Sequence, residues 1–163
     1  MENIEGAKSE LTKLKQLHDT LERQKDLYKS NQVAIQINAG EAWIKFASGQ
    51  KKEVISLMKL AADMEDRTEK HPVTPGEVLP ARELLADMLI QLQQYKNALL
   101  AYEGVLQKSP NRFNSLFGAG TAAEKSGNTQ KAILYFKQLS TITDTTKSYR
   151  PELATTRSFL TRS

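Results

Sequence analysis

The chain contains no cysteine, and that absence removes disulfide frameworks, cysteine-ligated zinc sites and iron–sulfur clusters together. Histidine is nearly missing too. His18 and His71 are the only two, whereas a transition-metal site usually draws on roughly three or four soft or imidazole ligands. No window approaches the run of about 20 apolar residues that a membrane-spanning helix needs. Charge of one sign is scarce as well: 23 basic against 19 acidic residues leave +4. The basic stripe interleaved with exposed aromatics that marks a nucleic-acid binder is absent. So are the H-E-x-x-H, G-x-S-x-G and P-loop patterns. The first ten residues are polar and mixed in charge, which is not a signal peptide.

What is present is helical periodicity. The chain is 163 residues long and 39% hydrophobic, enough for one domain or a short array of repeats. Leu11, Leu14, Leu17, Leu21 and Tyr28 recur at helical steps and predict one amphipathic helix over residues 4–30. Asn31 is placed to cap a second helix, which carries Val33, Ala39, Ala42, Trp43 and Phe46 and stops at Gly49. A third covers residues 51–69. Two prolines and a glycine in residues 71–76 then break the pattern. Helices follow over residues 80–93, 95–108, 112–126 and 128–142, with a last one over 150–161; nothing reads as a strand. Net charge is −1 over residues 1–80 and +5 over residues 81–163, and Arg150, Arg157 and Arg162 supply much of the excess.

Residues 34 apart correspond. Ala86 matches Gly120, Leu89 matches Ala123, Ala98 matches Ala132, Tyr102 matches Phe136 and Val105 matches Leu139. Small residues at such positions let antiparallel helices approach closely, and the aromatic rings fill the space beyond. An earlier unit fits at an offset of 44, pairing Ala42 with Ala86 and Met58 with Tyr102, the excess being taken up by a longer second helix and the Pro/Gly segment.

A 34-residue helix-turn-helix period resembles the tetratricopeptide repeat (TPR) family over residues 33–144. The expected fold is all-α: a single TPR-like solenoid of about three repeats, with an N-terminal amphipathic helix and a C-terminal capping helix. Its expected parts are the helix at 4–30, repeats at 33–69, 79–110 and 113–144, an insertion at 70–78 and a cap at 150–161. The stretches Glu41-Ala42-Trp43, Leu79-Pro80-Ala81-Arg82-Glu83 and Ser109-Pro110-Asn111-Arg112-Phe113-Asn114 are similar to the C-terminal region of long bacterial multi-repeat proteins without assigned activity. That likeness implies a piece of a larger solenoid, often an exported or periplasmic one.

In this family the first helix of each repeat lines a groove that holds partner segments. Carried onto this chain, the groove residues are Asn38 and Trp43, then Glu83, Asp87, Ile90 and Gln91, then Asn114, Phe117, Thr121, Glu124 and Lys125. Family members that clamp a C-terminal carboxylate use Lys, Asn and Arg on these helices. Here Ala39, Trp43, Glu83, Asn114, Phe117 and Gly118 stand there, so no clamp is expected. Glu83 and Asp87, four apart, share a helix face and would make the groove mildly acidic, suited to a neutral or basic peptide. They have no partner base or nucleophile with which to be catalytic, and Gly118-Ala119-Gly120 lies within a helix rather than a phosphate loop. The expectation is a non-catalytic protein-binding scaffold without metal or cofactor, without nucleic acid or membrane. The alternative is a structural segment of a larger solenoid, or a self-association module.

Overall fold

The computed structural model describes residues 3–69, 78–144 and 148–162. It is all-helical: α1 (Ile4–Arg23), α2 (Leu27–Ala47), α3 (Val54–Arg67), α4 (Ala81–Gln91), α5 (Tyr95–Lys108), α6 (Phe113–Lys125), α7 (Thr129–Thr143) and α8 (Pro151–Leu160). Among the described residues there is no strand, and no helix is long and apolar enough to cross a membrane. The chain falls into two compact units, residues 1–85 and 86–163, with the division inside α4. The Pro/Gly stretch at 71–76 lies outside the described residues.

One expected boundary moves. The helix anticipated over residues 4–30 is broken at Lys25, whose φ of 58° is left-handed. The amides of Gln24, Lys25 and Asp26 donate back to Thr20, Glu22 and Leu21 respectively, which satisfies the last carbonyls of α1. The Asp26 side chain then accepts from the Lys29 amide and starts α2. Asn31, expected as the cap, sits one turn inside α2 and donates to Thr68 Oγ1 at 2.7 Å. The same backbone turn recurs at Gln93 (φ 58°) between α4 and α5 and at Gly127 (φ 80°) between α6 and α7, with the same three donations. Lys25, Gln93 and Gly127 are thus spaced by two repeat lengths and then one. The turn between α2 and α3 at Gly49 (φ 76°) is of the same kind, with Ser48, Gly49 and Gln50 donating to Ile44, Phe46 and Lys45.

In the first unit, α2 packs against both α1 and α3. The core is built from Leu21, Val33, Ile35, Ala39, Ala42, Val54, Met58, Ala61 and Ala62. Its alanines let the helices close, and burial of the larger side chains supplies the driving force. The end of α3 is tied to the start of α4. Glu65 accepts the Ala81 amide with both carboxylate oxygens at 3.0 Å, while Arg82 pairs with Asp63 at 2.8 Å and with Asp66. Burial disfavours the Arg82 charge, but the hydrogen bonds it donates to Asp63 and Asp66 outweigh it and hold the guanidinium above its ordinary pKa.

In the second unit, α6 is the central helix and packs on α5 and on α7. Two glycines permit it. A Cβ added to Gly118 would lie 2.2 Å from Tyr102 Cζ, and one added to Gly120 would lie 2.6 Å from Phe136 Cε1. Each aromatic ring of the preceding or following helix therefore rests directly on α6 backbone. Leu116, Leu139 and Leu153 form a core with Phe113, Phe117, Tyr135 and Ile142 against it. Glu103 on α5 accepts from Lys131 Nζ at 2.6 Å and from Tyr135 Oη at 2.7 Å, both on α7. Burial, with that carboxylate alongside, pushes the Tyr135 phenol well above its usual range.

Candidate functional site

The three candidates in the first unit do not form a polar surface. Asn38 turns toward α3: its Nδ2 donates to Ala34 O at 2.9 Å and approaches Met64 Sδ at 3.6 Å. Trp43 is half-buried, edge-on to Phe46 at 5.7 Å, and its Nε1 is buried with no hydrogen-bond partner. Glu83 is 2% exposed. The reason is that α4 is buried on almost every side, with Ala81, Leu85, Ala86, Met88 and Leu89 also in the core. A carboxylate in its first turn has no solvent face to take.

In the second unit the expectation changes again at Asp87, which is partly buried and accepts from the Tyr102 hydroxyl. The mildly acidic groove foreseen from Glu83 and Asp87 is therefore not presented as expected: Glu83 is buried and Asp87 accepts from a tyrosine. Ile90 is partly buried and Gln91 exposed, at the end of α4.

The α6 candidates stay together. Asn114, Phe117, Thr121, Glu124 and Lys125 follow steps of three and four, so they form one stripe along the helix. Asn114, Glu124 and Lys125 are exposed, Phe117 and Thr121 partly buried. Phe117 lies against the core cluster and 6.1 Å from Phe136. Lys125 Nζ stands 5.6 Å over the Tyr95 ring, a cation–π contact across to α5. The Thr121 hydroxyl oxygen is buried without a partner.

Sequence reasoning missed what lies on the N-terminal half of this stripe. The Arg150 guanidinium, just before α8, rests 4.0 Å over the Phe113 ring and donates to Asn114 Oδ1 at 3.4 Å and to Glu152 Oε1 at 3.3 Å. The Glu152 carboxylate, held by its own backbone amide and by Arg150, stays below the usual carboxylate range. Periodicity marks α8 as a cap but carries no information on which residues it covers. Also unforeseen are two shallow depressions at the turn end of the unit. One, of about 620 Å³, is lined by Lys96, Leu99, Leu100 and residues 126–130; the other, of about 430 Å³, by residues 93–97 with Lys125 and Ser126.

Among the described residues no group of three or more His, Cys, Asp or Glu is placed to hold a metal ion. His18 lies on α1 with Asp19 and Glu22 at 3.8 and 4.0 Å; His71 is outside the described residues. No family model, curated protein or solved structure matches the chain.

Proposed function

We propose that the chain is a TPR-like helical-repeat scaffold whose second unit binds a segment of a partner protein along the α6 stripe, without catalysis. One observation carries this reading. Two consecutive hairpins, α4–α5 and α6–α7, share a 34-residue period and the same left-handed turn at Gln93 and Gly127, and their equivalent aromatic rings, Tyr102 and Phe136, both close on glycines of α6. Such repetition builds a surface rather than a pocket, and repeats of this kind present one helix of each pair to a ligand. The stripe offers what a peptide needs: an amide at Asn114, an apolar step at Phe117, and a flanking pair of opposite charges at Glu124 and Lys125.

With Glu83 and Asp87 committed inside the fold, the preference is for apolar and amide contacts rather than for a basic ligand. A tiled array of peptides of about 15 residues, spanning acidic, neutral and basic sequences, probed with the full chain, tests this directly. Binders should be lost in Asn114→Lys and Phe117→Ala while the melting transition persists. Peptides that bind all α6 variants alike, or no binding across the array, would remove the reading.

A further inference from the structure

We propose that the turn end of the second unit is a docking surface for an acidic, partly apolar segment of a partner protein, one that sets carboxylates against Lys96 and Lys125 and an apolar side chain against Leu100. The two depressions at this end adjoin, since Lys96 and Ser126 line both. Apart from Lys125 the surface is distinct from the α6 stripe, so it does not depend on the reading of that stripe.

Charge selects the occupant. Lys96 and Lys125 are exposed, and among the described residues neither forms an ion pair; Lys125 meets the Tyr95 ring instead. No acidic side chain lines either depression. The helices around them, α5, α6 and α7, together carry five lysines and two glutamates. Of those two, Glu124 precedes Lys125 on α6 and lines neither depression, while Glu103 on α5 already accepts from Lys131 and Tyr135. An approaching carboxylate therefore finds unpaired cations and little to repel it.

The apolar part of the occupant follows from the leucines. Leu100 borders the larger depression and is 65% exposed; Leu134, 34 residues on, holds the same repeat position on α7 and is 57% exposed. The bonds from Glu103 to Lys131 and Tyr135 tie α5 and α7 side by side. A single exposed leucine needs no explanation. What sets these apart is their recurrence in consecutive hairpins, beside a depression that also offers unpaired cations. Nucleic acid fits less well: its bases want a free aromatic face, and the Tyr95 ring is already met by Lys125.

Fluorescence anisotropy on the full chain tests this, with a fluorescein-labelled peptide of about 12 residues in which glutamates flank a leucine and a phenylalanine. Changing its glutamates to glutamine, or its apolar pair to serine, should each weaken binding at least about tenfold. On the protein, Lys96→Glu with Lys125→Glu should weaken it by at least about tenfold and Leu100→Ser by about fivefold. All three positions are exposed, so the core is untouched, and circular dichroism checks that each variant is folded. Lys59→Glu, at an exposed lysine of α3, should leave the affinity unchanged, as should Asn114→Lys and Phe117→Ala. The docking surface is overturned if the acidic peptide does not bind, if the glutamine or serine peptide binds equally well, or if an oligothymidylate displaces it at equal concentration. If the peptide binds and is lost on reversing the lysines, while no array peptide responds to Asn114→Lys or Phe117→Ala, this surface stands and the α6 reading fails.

Discussion

Tyr102 and Phe136 occupy equivalent positions 34 residues apart, and each ring closes on a glycine of α6. Yet only the first completes a hydrogen bond. The Tyr102 hydroxyl reaches Asp87, whereas the residue 34 beyond Asp87 is Thr121, and the ring 34 beyond Tyr102 is a phenylalanine with no hydroxyl to offer. The two hairpins therefore repeat their apolar shape while differing in their polar pairing. Shape is dictated by close packing, which tolerates little change. The polar pair is not held to that constraint.

The largest effect should come from removing the shared aromatic. Phe136→Ala, at a fully buried position, should cost about 3–5 kcal/mol by chemical denaturation; a loss under about 1 kcal/mol would mean that the second hairpin is not packed as described. Next come the glycines. Gly118→Ala and Gly120→Ala should each destabilise by about 1–3 kcal/mol despite the better helix propensity of alanine, because the rings they meet are buried and stiff. Tyr102→Phe should cost about 1–2 kcal/mol by removing the hydrogen bond to Asp87, but the double change Asp87→Thr with Tyr102→Phe, which copies the α6–α7 pair into α4–α5, should recover part of that loss. Strict additivity in that cycle would show that the two residues are not coupled. The smallest effects lie in the turns. Lys25→Gly should raise stability by about 0.5–1 kcal/mol, and Gly127→Ala should lower it by about 1 kcal/mol, since both positions are left-handed and nothing crowds Gly127. Thermal midpoints of the two variants moving in the same direction would break the equivalence of the turns.

Helix type and order were readable from apolar spacing, because eight amphipathic segments with few glycines and prolines leave little alternative. The break at Lys25 was not. A left-handed turn normally advertises itself with glycine, as at Gly127, but at Lys25 and Gln93 the backbone adopts that conformation without one. With the break hidden, the boundary between α1 and α2 was placed too late in the chain. Among the site residues, the α6 set came from carrying the family's repeat geometry onto this chain, and helical spacing places its members on one face. The fates of Glu83 and Asp87 depended on how fully α4 is enclosed and on where the Tyr102 hydroxyl points, neither of which spacing encodes. Exposed charge is the common reading of two acids four apart on a helix; here the enclosed helix overrides it.

The tie between α3 and α4 has its own consequence for how this protein can change. Glu65, Asp63 and Asp66 hold Ala81 and Arg82 directly, so the start of α4 is held to α3 by a noncovalent bridge. Ion pairs of this kind are weakened by salt in a way that apolar packing is not, so ionic strength acts on this junction before it acts on the helix cores.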